Sequence, residues 1–414
     1  MEDWLTAAAR ARPDHEAVAA DGGSLTYGQL DERASHRARG LAAAGVGAGD
    51  RVPVTHPPGL AFAELLHALP RLGAVLEPGP PTDPPAPAGA EGGAAPLQPR
   101  TEFEPDAIHT VIRTSGTTGA PKPVELTYAN HAASALASAG ALGVEPGDRW
   151  LCALPLHHVG GLNVLIRSVI NRTTVVLHER FDADRVKATL EAGGITLASL
   201  VPTMLARLRA AGLRDAPGLR AIALGGGPVP AELLDWASET GIPVVPVYGM
   251  TETCSQVVAG NPGRPLPGVE LEIATDGEIL VRGAMVAPGE RGEDGWLHTG
   301  DLGALDADGR LHVLGRLKEL IVTGGENVAP LEVEQALLAH PAVVDAGVAG
   351  LPDPEWGEAV TAFVVLREPA AAEELRAWCR ERLAAFKVPK AVFEVERLPR
   401  SAGGKLLRDR LGAD

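Results

Sequence analysis

Residues 195–224 open with Ile195-Thr196-Leu197-Ala198-Ser199-Leu200-Val201. Pro202 follows, then a segment with Met204, Leu205 and Leu208 on one side, then Leu219-Arg220-Ala221-Ile222-Ala223-Leu224. Both outer runs have strand length, and the proline can open a helix between them. Two such strands joined through a helix make a βαβ unit, and their near-continuous apolar character suits a parallel sheet buried on both faces. The pattern repeats upstream, with short β-like runs at Ala107 to Arg113, Trp150 to Leu154 and Thr173 to His178, and helices at Gly160 to Ile170 and Asp184 to Glu191. Downstream come a helix from Pro230 to Ser238 and a strand from Ile242 to Tyr248. In sheets of this kind ligands sit beyond the carboxyl ends of the strands, so the loops that follow strands are the ones to inspect.

After Asn261 the pattern changes. Val269 to Ile273 and Glu278 to Arg282 flank Ala-Thr-Asp-Gly, a hairpin signal, and Leu311 to Leu314 follows a second Asp-Gly at Asp308–Gly309. This reads as a small antiparallel β subdomain appended to an α/β core. Beyond Gly315 lies a compact α+β unit: a helix near Leu331 to Leu338, β runs at Val343 to Ala349 and Val360 to Leu366, and a helix Glu373 to Phe386 with Leu375, Cys379, Leu383 and Phe386 on one face. The expected organisation is an α/β domain over residues 1–315 with parallel, doubly wound sheets, followed by a small α+β domain over 316–414. Residues 78–99, dominated by Pro, Ala and Gly, read as a poorly structured linker.

Composition bounds the function. With 414 residues, 45% hydrophobic and 22% charged, the chain is globular and suits one large domain plus a smaller one. A net charge of −16 and only 4% aromatics argue against nucleic acid as a partner. An anionic ligand would have to be held by local positive charge. Cys152, Cys254 and Cys379 lie far apart and are odd in number, so no disulfide framework or metal-spaced set is expected. The start, Met-Glu-Asp-Trp-Leu, lacks a signal-peptide profile, and the longest apolar stretch is broken by Arg167 and Arg172. A cytoplasmic protein without an integral membrane segment is expected.

Six loops carry the chemistry. Thr114-Ser115-Gly116-Thr117-Thr118-Gly119-Ala120-Pro121-Lys122 follows a strand; its glycines and hydroxyls let backbone N–H groups approach a polyphosphate, and Lys122 adds a point charge. It lacks the GxxxxGK[ST] pattern of a Walker A loop. Gly225-Gly226-Gly227 permits close approach of a planar ligand, although a tight strand-to-helix turn explains it equally well. Tyr248-Gly249-Met250-Thr251-Glu252-Thr253 sets an aromatic face, two hydroxyls and a carboxylate on one strand end. That carboxylate can ligate Mg²⁺, whereas a helix N-cap at Thr251 accounts for one hydroxyl only. Asp301, in Thr299-Gly300-Asp301, can accept two ribose hydroxyls, or sit in a surface turn. Gly315 to Asn327 contains Arg316, Lys318, Gly324 and Gly325 where the two compositional units meet. Lastly, Lys405 follows Gly403-Gly404 in a tract, residues 386–411, with seven Lys/Arg against three acids. A solvated tail is the usual origin of such a run, but a lysine behind glycines can also be delivered to a site.

In order and spacing these loops resemble the adenylate-forming superfamily of acyl-CoA synthetases, luciferases and adenylation domains, from about Ile112 to Leu411. Pro155-Leu156-His157-His158-Val159-Gly160-Gly161-Leu162, Gly225 to Pro230, Thr251 to Val258, Gly324 to Asn327 and Leu383 to Lys390 are similar to the 2-succinylbenzoate–CoA ligases of menaquinone synthesis. The resemblance implies an AMP-forming acid–thiol ligase that uses ATP, Mg²⁺ and CoA. Residues Thr114 to Gly119 with Lys122 would hold the β,γ-phosphates, and Tyr248 and Gly225 to Gly227 the adenine. It implies Thr251 at the α-phosphate, Glu252 at Mg²⁺, Asp301 and Arg316 at the ribose, and His158 and Gly249 at the acid. Lys405 would bridge carboxylate and α-phosphate. The C-terminal domain would turn about a hinge near Lys318, bringing Gly324 and Gly325 to the thiol. Self-association into a homo-oligomer is compatible with the family. Departures are a short first subdomain, a shortened segment Gln256 to Gly268, and Tyr128 where a histidine is common. A ligase for another small aryl or fatty acid, a carrier-protein-loading enzyme and a silent nucleotide-binding relative remain as alternatives.

Overall fold

The computed structural model of the protein describes residues 1–83, 100–114, 121–400 and 406–412. The chain resolves into two compact units. The first takes Met1–Pro228, Trp236–Glu270 and Val281–Leu297; the second takes Val229–Asp235, Leu271–Leu280 and the chain from His298 onward. The boundary expected after Gly315 lies inside the second unit.

In the first unit, apolar runs of strand length build a parallel sheet in the order Val244–Met250, Ala221–Leu224, Leu197–Leu200, Arg149–Cys152, Thr174–Leu177, Glu16–Ala20, with Gly23–Thr26 antiparallel at the edge. All four residues of Leu197–Leu200 and of Ala221–Leu224 are buried. Pro202 opens the intervening helix Pro202–Ala210, as its fixed φ and missing N–H favour. From Arg149–Cys152 the chain passes to Thr174–Leu177 on one side and then returns to Leu197–Leu200 on the other. This reversal of strand order is the topological switch point, where the connections leave a crevice at the carboxyl ends.

A second sheet pairs Arg51–Val54, Val75–Pro78 and Ile108–Thr114 in parallel, with Lys122–Thr127 antiparallel to the last. The stretch read as a linker overlaps this sheet at its start. Pro78 ends a strand, Gly79 N–H donates to Val54 O (2.9 Å) and Thr82 N–H to Thr55 O (3.1 Å). Residues 84–99 lie outside the described residues. The helix Tyr128–Leu142, not apparent in the Ala-rich sequence, starts at a reciprocal Thr127/Asn130 capping box. Tyr128 itself is buried and stacks on Phe103 with ring centroids 4.7 Å apart.

The second unit contains the antiparallel pair Leu297–Leu305 and Leu311–Arg316, apart from Leu297 itself. A sheet ordered Glu326–Val328, Ile321–Thr323, Gly357–Leu366, Val343–Asp353 follows, with Ala391–Glu394 also on Gly357–Leu366. Helices Pro330–Leu338 and Ala372–Arg380 cover a core that includes Val333, Leu337, Val348, Val360, Leu375 and Cys379. The helix expected to reach Phe386 stops at Arg380. A separate 3-10 turn, Ala385–Lys387, redirects the chain into Ala391–Glu394, and Leu383 and Phe386 still reach the same core. Among the described residues no helix is long and apolar enough to cross a membrane.

Two features of the first unit make measurable claims. Tyr27 Oη lies 2.6 Å from Thr173 O and 3.0 Å from Ser168 O, fastening the end of the helix Val159–Asn171. Tyr27→Phe is predicted to cost about 1–3 kcal/mol in denaturant unfolding, because buried carbonyls lose their donor. Burial also holds His67, His109 and His131 neutral, pushing His67 down to about 3 and His131 to about 4. The unfolded chain takes up protons near the ordinary 6.5 while the folded one refuses them, so this stability is lost as pH falls below 6.5. His109 sits against Trp4, Tyr128 and His131 with Nδ1 unpartnered. The drop in Tm between pH 6.5 and 4 is predicted to be shallower in His109→Phe than in the parent.

Candidate active site

The switch point gathers loops of the first unit at one sheet edge. After Arg149–Cys152, His158 stands at the N-cap of the helix Val159–Asn171, its ring 4.3 Å from that of His157; desolvation lowers the pKa of both. After Ala221–Leu224, Gly225 N–H donates to Leu200 O (3.2 Å), and a Cβ there would lie 2.7 Å from Val247 Cγ2. Gly226 has φ +84°, and Gly227 faces open space. The glycine run is thus both a turn requirement and a clear face.

The strand Val244–Met250 carries Tyr248 and Gly249 directly into the 3-10 turn Thr251–Thr253. A bulge between Tyr248 and Gly249 shifts the register against Ser255–Gly260, and a Cβ on Gly249 would fall 2.1 Å from Ser255 O. The capping role considered for Thr251 belongs to Thr253, whose Oγ1 accepts from Met250 N–H at 3.0 Å. Among the described residues the Thr251 hydroxyl and the Glu252 carboxylate have no partner, while Glu252 O accepts from Ala287 N–H (2.8 Å). One uncommitted carboxylate beside a hydroxyl fits Mg²⁺, which takes one or two protein carboxylates with water and substrate phosphates. No group of three potential metal ligands occurs among the described residues, so a dedicated cage is not built there.

Thr114 and Lys122 face each other across the antiparallel pair, with Thr114 Oγ1 donating to Lys122 O (3.2 Å). Lys122 Nζ pairs with Glu290 at 2.5 Å. Ser115, Gly116, Thr117, Thr118 and Gly119 lie outside the described residues; the structure places only the two ends of that loop.

In the second unit, Asp301 and Arg316 are direct cross-strand partners, Nε to Oδ1 3.0 Å, with Asp301 buried. Asp301 N–H donates to Thr299 Oγ1 (3.0 Å) and Gly300 N–H to Glu278 Oε1 (2.7 Å), so this turn is pinned. Lys318 lies in the 3-10 turn Leu317–Glu319. Gly324 and Gly325, at φ +59° and +84°, make the two-residue turn between Ile321–Thr323 and Glu326–Val328, and a Cβ on Gly324 would meet the Trp356 ring at 2.9 Å. Lys405 lies outside the described residues; its flanks, Arg400 and Leu406, form an antiparallel bridge. The basic tract is less available than its charge implied. Lys387 pairs with Glu332 (2.6 Å), Arg400 with Asp345 (2.7 Å), and Arg408 with Glu319 (3.0 Å) and Glu334.

The sequence reading missed a buried polar cluster behind Thr251–Thr253. Cys254 and Ser255 have φ +50° and +91°, unusual for side chains with a Cβ. Ser134 Oγ and Asn163 Nδ2 each donate to Cys254 O at 2.7 Å. His131 Nδ1 lies 2.8 Å from Asn163 Oδ1, and its Nε2 2.9 Å from Thr110 Oγ1. Arg167, used above only to exclude a membrane span, is 2% exposed and bonds Ser134 Oγ (2.8 Å) and Gln256 Oε1 (3.3 Å). Among the described residues its Nε has no partner, and burial draws its pKa down to about 10. The available signal was polar residues at 163 and 167 inside an otherwise apolar helix. Gly249→Ala tests the backbone closure against Ser255. It is predicted to destabilise the protein by about 1–3 kcal/mol, read as a lowered denaturation midpoint, because the displaced atoms are backbone.

Known proteins share this fold and much of this sequence. The AMP-binding enzyme profile matches residues 5–89 and 79–290, two pieces that overlap in the Pro-rich stretch, and the AMP-binding enzyme C-terminal domain matches 332–405. A 2-succinylbenzoate–CoA ligase of Bacillus licheniformis is 46% identical over 344 residues, covering 76% of this chain and 72% of that protein. The o-succinylbenzoate CoA synthetase of Bacillus subtilis, solved with the acyl-adenylate OSB-AMP, superposes with a TM-score of 0.89 at 36% identity, over 100% of this chain and 98% of that one. The same synthetase solved with ATP and a magnesium ion gives 0.88 at 36% identity, over 99% of each chain. The chain belongs to the AMP-binding enzymes, the adenylate-forming superfamily that its loops resemble.

Proposed function

We propose that this protein is an ATP-dependent, AMP-forming acid–CoA ligase that activates 2-succinylbenzoate in menaquinone biosynthesis. The observation that carries the reading is Thr251 and Glu252, whose side chains are uncommitted among the described residues, at the carboxyl end of a parallel sheet in a chain that superposes over its whole length on a synthetase solved with its acyl-adenylate.

A carboxylate is a poor acyl donor. Its oxygen attacks the α-phosphorus of ATP, pyrophosphate leaves, and the acid becomes a mixed anhydride. The CoA sulfur then attacks the acyl carbon, AMP leaves, and the thiol proton passes to solvent. Thr114 to Gly119 and Lys122 hold the β,γ-phosphates, Tyr248 and Gly225 to Gly227 the adenine, and Asp301 and Arg316 the ribose. Thr251 contacts the α-phosphate. Glu252 supplies an oxygen to Mg²⁺, which when bound offsets phosphate charge. His158 and Gly249 line the acid pocket. Lys405 offsets charge as the carboxylate and α-phosphate join.

The domain reading is part of the proposal: residues 1–315 form the nucleotide-binding domain and 316–414 a domain that turns near Lys318. Lys405 serves the first half-reaction and the Gly324–Gly325 turn the second. A cytoplasmic location completes it, supported by three buried cysteines without a disulfide among the described residues.

Two measurements test the reading. Pyrophosphate release across a panel of carboxylates is expected with 2-succinylbenzoate and not with benzoate or medium-chain fatty acids, with CoA completing turnover. Preference for a fatty acid would remove the substrate while leaving the chemistry. Lys405→Ala is expected to slow adenylation by roughly 10²–10³-fold, the scale of one preorganised electrostatic contact, while thioester formation from supplied acyl-adenylate survives. Equal loss in both half-reactions would overturn the role given to Lys405.

A further inference from the structure

The buried cluster behind the Thr251–Glu252 turn has a definite polarity. Cys254 O can only accept, so the Asn163 amide must present its nitrogen there, at 2.7 Å, and its oxygen to His131. His131 Nδ1, 2.8 Å from that oxygen, must then carry the proton, which leaves Nε2 to accept from Thr110 Oγ1–H at 2.9 Å. The direction of each hydrogen bond from Thr110 through His131 and Asn163 to Cys254 O is thereby assigned; Cys254 Sγ also lies 3.3 Å from His131 Nδ1 and 3.5 Å from Asn163 Nδ2. Thr110 lies in Ile108–Thr114, the strand that enters the Ser115–Ala120 loop. Asn163 lies in the helix that His158 caps, and Cys254 directly follows the Thr251–Thr253 turn. Thr110, His131 and Asn163 are each 2% exposed or less, and Cys254 is fully buried. The anchored carbonyl belongs to Cys254, at φ +50°, followed by Ser255 at +91°. Backbone of this kind persists only where its surroundings over-determine it.

We propose that Thr110, His131 and Asn163 form a positioning relay that sets the Thr251–Glu252 turn for Mg²⁺-ATP. The relay acts through the Cys254 carbonyl and touches no substrate. This rests on the assignment of Glu252 to Mg²⁺ made above. Carbonyls in and beside the turn are held by Asn163 and Ser134 at Cys254 O, by Ala287 N–H at Glu252 O, and by Thr253 Oγ1 at Met250 O and Ser255 O; of these, the Cys254 anchor is the one made by side chains from outside the turn. The imidazole in the middle of the relay is neutral because burial draws its pKa down to about 4.

The test uses Asn163→Leu, similar in size but unable to donate, in the full chain. Hydrogen exchange of the unliganded protein is expected to quicken about tenfold in peptides covering 250–257, the scale of one lost buried hydrogen bond, with other core peptides unchanged. The Mg²⁺ concentration for half-maximal adenylation should rise about tenfold or more, as for outer-shell partners of metal ligands. KM for 2-succinylbenzoate and the rate from supplied acyl-adenylate should stay within about twofold. Should Asn163→Leu not fold, His131→Phe carries the same expectation. His131→Asn, whose amide nitrogen replaces Nδ1, should restore both readouts. Uniformly faster exchange with an unchanged Mg²⁺ requirement would overturn the relay. Glu252→Gln separates the two readings. If it spares adenylation, the assignment of Glu252 fails; if it abolishes adenylation while Asn163→Leu leaves the Mg²⁺ requirement alone, only the relay fails.

Discussion

Strand Arg149–Cys152 has parallel neighbours on both sides, and the chain reaches them by connections that leave in opposite directions. That reversal is the constraint on which the first unit's site depends. Because the neighbouring strands run parallel, the loops holding His158, Gly225 to Gly227 and Thr251 to Thr253 all emerge at the same sheet edge. Small residues follow from this crowding. Gly225 faces Val247 and Gly249 faces the Ser255 carbonyl, and each position excludes a side chain because the neighbouring strand occupies its space.

The chain carries a net charge of −16, yet its family binds an anionic nucleotide. The structure shows how cations are held in such a chain. Lys122 is paired with Glu290, Arg316 with Asp301, Lys387 with Glu332, and Arg408 with Glu319 and Glu334. Positive charge is presented locally, each cation with a nearby acid, rather than as a field over a whole face. Lys122 keeps 57% of its side chain exposed despite its partner, and an ammonium with three donors can bond a carboxylate and another anion together.

Much of this organisation was legible in the chain. The runs at 197–200, 221–224 and 244–250 are apolar and short, and the helices between them begin at or directly after a proline, so the alternation declared itself. The Asp-Gly hairpins were equally plain. The helix Tyr128–Leu142 was not, because it is rich in alanine and buried on several sides, which blurs the periodic stripe that a surface helix shows. The end of the helix at Arg380 was missed for a related reason: Leu383 and Phe386 keep helical spacing and reach the same core, but through a separate turn.

By itself the sequence determined the strand–helix alternation, the antiparallel and α+β units that follow, and which loops are rich in glycine, hydroxyl and carboxylate groups, since these depend on residue type and short-range spacing. Tertiary structure alone decided that Thr253 rather than Thr251 caps its turn, leaving the Thr251 and Glu252 side chains uncommitted among the described residues. It also decided that Thr110, His131, Asn163 and Cys254, spread over 145 positions, share one hydrogen-bonded chain. A buried polar group must find its partner wherever packing brings one, and that distance in sequence has no local signature.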